Sequence, residues 1–211
     1  DSEPPESLVG SRAGAYAIVA YAGEGGMASV YRGRRADDAF SRDVAVKVVK
    51  RGTETDEVLA RFRAERRALA SLRHPNTISI FDYGRTPDGT FYYAMELLEG
   101  MNLETLVERH GAQPPGRVVH ILIQIAGALA EAHGVGLIHR DIKPANVYLC
   151  RHGGLDDFVK VLDFGLVRQI ENGKAATETG SYMLAGTPLY MAPEAIVSPN
   201  EIDARADIYS L

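Results

Sequence analysis

The octet His139-Arg140-Asp141-Ile142-Lys143-Pro144-Ala145-Asn146, followed by Asp163-Phe164-Gly165, constrains this chain more than any other feature. It sets a carboxylate able to orient a hydroxyl, an ammonium and two oxygen-bearing metal ligands within a short stretch. That is the equipment of phosphoryl transfer, whose transition state spreads charge over the phosphoryl oxygens and asks the protein for positive charge and alignment. Mg²⁺ is a hard cation that takes oxygen ligands, usually one or two from protein, and Asp163 with the amide oxygen of Asn146 suits it. Asp141 would accept or orient the proton of an attacking hydroxyl, and Lys143 would neutralise charge on the group in transit. Singly the motifs are weak: a His-Arg-Asp triplet is most often a solvated turn, and Asp-Phe-Gly a strand end with a turn glycine. Their order gives them weight. An apolar helical run precedes the octet, strands at 148–149 and 159–162 follow it, and Asp163 opens the loop beyond.

The upstream half carries the pattern of a nucleotide site. Gly23-Glu24-Gly25-Gly26-Met27-Ala28-Ser29-Val30-Tyr31 reads as a hairpin whose glycines let backbone amides approach phosphates with no Cβ in the way. Next comes the apolar strand 43–49, interrupted by Lys47 alone, and a charge in so apolar a run calls for a partner. A lysine guarding an edge strand is the competing explanation. The run 58–72 has apolar residues at Leu59, Phe62, Leu69 and Leu72 in a helical rhythm, with Glu65 among Arg61, Arg63, Arg66 and Arg67. Glu65 is either the partner of Lys47 or one acid on a solvated basic face. An ion pair with Lys47 is favoured, because it would hold the ammonium over the α and β phosphates.

The spacing predicts strands at 16–22, 29–34 and 43–49, then the helix with Glu65, then a hairpin joining 78–83 to 91–96 through Pro87-Asp88-Gly89. Residues 103–110 read as a short helix and 117–133 as a longer one, with Val118, Ile121, Leu122, Ile125 and Leu129 on a core-facing stripe. Residues 1–12, polar and containing Pro4-Pro5, are expected as a flexible leader. At 211 residues and 45% hydrophobic, the chain suffices for one sizeable core or two small lobes, and a formal charge of −5 argues against a nucleic-acid partner. The single cysteine, Cys150, forms no internal disulfide and suits a reducing cytoplasm. No apolar run approaches membrane-spanning length, and the acidic start is unlike a signal peptide.

These motifs, together and in this order from about Tyr16 to Leu211, resemble eukaryotic-type (Hanks-type) serine/threonine protein kinases, and Gly25-Gly26-Met27 suggests a bacterial member. The resemblance implies an α+β, bilobal fold: a β-rich N-lobe with one main helix over about 13–96, a hinge over about 96–100, and a mostly helical, partial C-lobe over 101–211. It implies Asp141 as the catalytic aspartate, Lys143 marking Ser/Thr rather than Tyr acceptors, Lys47 paired with Glu65, and Asn146 and Asp163 holding Mg²⁺, with Mn²⁺ as an alternative. ATP would lie in the cleft between lobes, against Gly23, Glu24, Gly25, Gly26, Met27 and Ala28. Val30 and Ala45 would lie above the base and Tyr148 below it, with Met95 as gatekeeper and the backbone from Glu96 to Leu98 reading adenine. The partners implied are Ser/Thr-bearing protein substrates and a second copy for trans-autophosphorylation, in the cytoplasm or on the cytoplasmic side of a membrane anchor.

Thr177, Thr179, Ser181 and Tyr182 lie between Asp163 and Ala192-Pro193-Glu194; Thr177 and Thr179 are the expected phosphorylation sites, docking through Arg140. A merely polar loop explains any one of them nearly as well. Thr187 matches the family position that bridges Asp141 and Lys143. The chain departs from the family at Ala28, for the third loop glycine, at Ala22, for a larger aliphatic residue, and at Tyr148, for an aliphatic pocket floor. It also ends at Leu211, where the family begins a long buried helix, so a fragment with uncovered apolar surface is expected. A pseudokinase or scaffold is the alternative function, disfavoured because a scaffold has no need of Lys47, Glu65, Asp141, Asn146 and Asp163 all at once.

Overall fold

The computed structural model describes residues 8–24, 28–36, 43–49, 71–164, 188–198 and 202–211. The chain divides into two compact units, one of residues 1–54 and 79–98, the other of residues 55–78 and 99–211.

The first unit is a six-stranded sheet ordered β1-β2-β3-β4-β6-β5. Its strands are β1 (Arg12–Ala13), β2 (Tyr16–Glu24), β3 (Ala28–Arg35), β4 (Asp43–Val49), β5 (Ile80–Arg85) and β6 (Phe91–Glu96), and every neighbouring pair is antiparallel. The β-branched and aromatic content of these segments makes them strands, and the period of two sorts their side chains by face. Tyr31, Val46 and Ala94 lie in one cross-strand row, and with Ile18, Val44, Val48 and Tyr92 they form the apolar core of this sheet. Residues 8–12, expected to be flexible, are tied down here: Gly10 N donates to Ile18 O at 2.9 Å, Ile18 N to Ser11 O at 3.0 Å, and Leu8 packs on the core. One apolar side chain and backbone pairing to β2 suffice to order them, and a polar composition conceals both.

The second unit packs helices against a three-stranded sheet ordered β7-β8-β9. These strands are β7 (Gly100–Asn102), β8 (Val147–His152) and β9 (Leu155–Val161); the helices are α1 (Leu103–His110), α2 (Pro115–Gly134), α3 (Pro193–Val197) and α4 (Arg205–Ser210). Asn102 starts α1 by accepting from Thr105 N at 2.8 Å, and Gly111 ends it. Pro115 opens α2, where a missing N–H costs nothing. The buried stripe of α2 is Ile121, Ile125, Ala128, Leu129 and Ala132. Val118, expected on that stripe, is 39% exposed: it lies on the same side of the helix as Ile125, seven residues on, but in the first turn, before the buried stretch begins at Ile121. Ile142, Val147, Leu149, Val159, Val161 and Phe164 complete this core.

Polar contacts lock α2 to β9. Arg117 makes a two-pronged ion pair with Asp157 at 2.6 and 2.8 Å. The Gln124 carboxamide accepts from Val159 N at 3.0 Å and Asn76 at 2.9 Å, and donates to Asp157 O at 2.9 Å. Strand β7 had no signal of its own in the sequence. It exists because Gly100 lies flat against β8: a Cβ there would come within 2.0 Å of Leu149 O.

Candidate active site

The octet folds into a loop closed by a 3₁₀ turn, Pro144–Asn146, directly before β8. The Asn146 amide donates to Asp141 O and to Asp141 Oδ2, both at 2.8 Å. Lys143 Nζ lies 2.9 Å from the same Oδ2. Two donors therefore hold one carboxylate oxygen of Asp141. The Asn146 NH₂ is fixed by the acceptors it meets, so its Oδ1 is the atom offered elsewhere, which matches a hard cation.

Asp163 is brought to the same loop through its neighbour. Leu162 N donates to Asn146 O at 2.9 Å, and Leu162 O accepts from His139 Nε2 at 2.7 Å. Asp163 itself has φ +55°, a left-handed conformation rare outside glycine and sustained only where the surroundings determine it. Asp141, Asn146 and Asp163, separated in sequence, thus share one end of the second unit, and the oxygen chemistry of Asn146 and Asp163 fits Mg²⁺.

His139 is the hub of this arrangement. It is fully buried against Phe164, with ring centroids 4.6 Å apart. Burial pushes its pKa below the usual imidazole value, outweighing the opposing pull of Asp207. The neutral ring donates from Nε2 to Leu162 O and accepts at Nδ1 from Asp141 N at 3.2 Å, so one tautomer links the backbone of Asp141 to the strand leading into Asp163.

Asp207, on α4, is a residue that sequence reasoning passed over. It is 1% exposed, and its carboxylate accepts from His139 N at 2.8 Å, Arg140 N at 2.7 Å and His133 Nε2 at 2.8 Å. Arg140, next to Asp141, has φ +66°. Asp207 therefore pins a strained turn from 67 residues away. In sequence it is one of three acids within 201–207, at a helix start where an acid is ordinary, so no local signal marks it.

The other expected site residues fall as follows. In the first unit, Val30 faces Lys47 across β3–β4, Ala45 faces Met95 across β4–β6, and all four share one face of the sheet, opposite its core. Gly23 and Glu24 end β2 and Ala28 begins β3; a Cβ on Gly23 would meet no protein atom within 4 Å, so its own packing does not demand glycine. Glu96 closes β6 through a reciprocal pair with Ser79, N to O at 3.0 Å and Oε1 from Ser79 N at 2.8 Å, and Leu98 follows in the same unit. In the second unit, Tyr148 on β8 donates its hydroxyl to Gly100 O at 2.8 Å, and burial raises its phenol pKa, keeping it a neutral donor. Gly25, Gly26, Met27, Glu65, Thr177, Thr179, Ser181, Tyr182 and Thr187 lie outside the described residues.

Residues 16–211 match the protein kinase domain family. The serine/threonine-protein kinase pkn3 of Myxococcus xanthus is 40% identical over 200 residues, 93% of this chain and 36% of that protein. PknL of Mycobacterium tuberculosis is 39% identical over 212 residues, 99% of this chain and 49% of that protein. The chain thus spans less than half the length of these curated relatives. Among solved structures, the C20A mutant of the PknI kinase domain of Mycobacterium tuberculosis superposes with a TM-score of 0.75 at 30% identity, covering 96% of this chain and 72% of that one. Rad53 1–466 in complex with AMP-PNP superposes with a TM-score of 0.70 at 27% identity, covering 93% of this chain and 46% of that one. Motif order, the two folded units and these similarities lead to one conclusion: the chain belongs to the protein kinase family, with bacterial serine/threonine kinases among its relatives.

Proposed function

We propose that this protein transfers the γ-phosphoryl group of ATP to serine and threonine hydroxyls of protein substrates. The observation that carries this is the Asp141 carboxylate, held at Oδ2 by Lys143 and Asn146. A pseudokinase has no use for so specific an arrangement. Asp141 orients the hydroxyl and takes its proton as the phosphoryl group departs, while Lys143 sets positive charge beside the reacting oxygens. Asn146 and Asp163 would hold Mg²⁺, which when bound neutralises phosphate charge, and Mn²⁺ has the same ligand preference. Lys47, Gly23, Glu24, Ala28, Val30, Ala45, Met95, Glu96, Leu98 and Tyr148 are proposed to bind ATP, with Gly25, Gly26, Met27 and Glu65 completing the set. AMP-PNP bound to a structural relative supports a nucleotide in this role.

We assign residues 13–96 to the N-lobe, 96–100 to the hinge and 101–211 to part of the C-lobe. An open recess of about 390 Å³, lined by Asp141, Lys143, Tyr190, Met191, Ile202 and Ala206 among others, would receive the acceptor segment. Autophosphorylation between copies at Thr177 or Thr179, and work in the cytoplasm or on the cytoplasmic side of a membrane anchor, belong to the same proposal. No helix among the described residues is long and apolar enough to cross a membrane. The test is label transfer from [γ-³²P]ATP to a protein acceptor by the full gene product and by Asp141→Asn. Loss of about 10²-fold or more in the variant is expected; equal transfer by both rejects the proposal.

A further inference from the structure

We propose that Tyr93 is a positioning residue for Lys47, its aromatic face holding the ammonium ready for nucleotide phosphate; this rests on the nucleotide-binding function proposed above. Strand β4 is buried at every position except Asp43 and Lys47. Lys47 pairs directly with Val30 on one side and with Tyr93 on the other, and Tyr93 pairs in turn with Tyr83. The row therefore runs Val30, Lys47, Tyr93, Tyr83 on the sheet face that also bears Ala45 and Met95.

Tyr93 is 1% exposed, so its ring has no freedom to turn away. Lys47 Nζ lies 5.8 Å from the ring centroid, within the range where the negative face of an aromatic attracts a cation. A lysine side chain has four rotatable bonds, and ordering it costs binding free energy unless it is ordered beforehand. Tyr93 contributes to that order through the ammonium charge, a contact that itself uses no N–H donor. The neighbour on the other side of Tyr93 in sequence, Tyr92, faces the opposite, core side of the sheet, so the two adjacent tyrosines have separate tasks.

The experiment replaces Tyr93 in the full gene product by phenylalanine and by its singly to fully ring-fluorinated analogues. These keep the shape that fills the buried site while withdrawing charge from the ring face. AMP-PNP with Mg²⁺ is titrated against each protein. Tyr93→Phe is expected within about twofold of the native Kd, and the most fluorinated ring about three- to tenfold weaker, with melting temperature unchanged along the series. In a Lys47→Met background the dependence on fluorination is expected to vanish. A Kd that ignores fluorination, a loss already complete in Tyr93→Phe, or a fluorine dependence that persists without Lys47 each overturns the role of Tyr93. Absence of AMP-PNP binding by the native protein overturns the nucleotide-binding function itself, and this role with it.

Discussion

Replacing Asp207 by asparagine tests whether the catalytic loop is held from a distance. The substitution conserves size but converts one carboxylate oxygen to an NH₂. Oδ1 accepts from Arg140 N, and Oδ2 accepts from His139 N and His133 Nε2. Whichever way the amide sits, its NH₂ faces at least one buried backbone N–H. Hydrogen bonds to a charged acceptor contribute about 1.5–3 kcal/mol each, and stranding one buried donor costs about 1–3 kcal/mol, so a destabilisation of about 3 kcal/mol is expected. Arg140, at φ +66°, holds a conformation that costs roughly 1–3 kcal/mol and persists only under restraint.

Released, that turn would move Asp141, and a displacement of about 1 Å in a reacting group costs on the order of 10²-fold in rate. None of these contacts touches the sheet bearing Lys47. Urea unfolding and steady-state kinetics of the full gene product should therefore show reduced stability, kcat lowered about 10²-fold, and a KM for ATP changed by less than about threefold. An Asp207→Asn protein with stability within about 1 kcal/mol of native and undiminished kcat would refute the reasoning.

Gly100→Ala drives a Cβ to 2.0 Å from Leu149 O, and since both are backbone the strain has no side chain to absorb it. A loss of about 2–3 kcal/mol, or a melting temperature lower by roughly 5–10 °C, is expected by calorimetry, and an unchanged melting temperature contradicts it. Asn146→Ala removes the proposed oxygen ligand and two hydrogen bonds to Asp141; the Mg²⁺ concentration for half-maximal activity should rise about tenfold, and an unaltered Mg²⁺ profile would argue against the ligand role. His139 has its pKa lowered by burial, so the unfolded chain binds its proton more readily. Its contribution to stability is fully present above the unfolded-state value of about 6.5 and is lost as pH falls below that, at about 1.4 kcal/mol per pH unit until the folded pKa is reached. Chemical denaturation at pH 7.5 and 5.5 checks the sign, with higher stability at the lower pH as the contrary result.

The candidate site was legible in the sequence wherever it depends on residue type and short spacing. Asp141, Lys143 and Asn146 lie within six positions, and a 3₁₀ turn brings them together without help from distant chain. The strands of the first unit were legible for a similar reason: a short β-branched or aromatic run beside a turn signal is a local property, and 91–96 and 43–49 appear where it placed them. Leu103–His110 likewise carries its own start and stop in Asn102 and Gly111.

Residues whose roles come from long-range contact were not legible. Asp207 resembles any acid at a helix start until the fold sets it against the amides of His139 and Arg140. Strand β7 has no alternation to betray it and forms because β8 offers it a backbone edge. Val118 fits the helical stripe as well as Ile121 does, and only its place in the first turn, before the packed stretch of the helix begins, separates them. Tyr92 and Tyr93 are adjacent and chemically identical, and the register of β6 on β4 alone decides which one meets Lys47. The sequence by itself thus determined the candidate reactive groups and the local segments carrying them, because propensity and turn chemistry act over a few residues. Tertiary structure decided which distant donors, rings and strand edges restrain those groups, because such contacts exist only once packing has brought separate segments within a few ångströms.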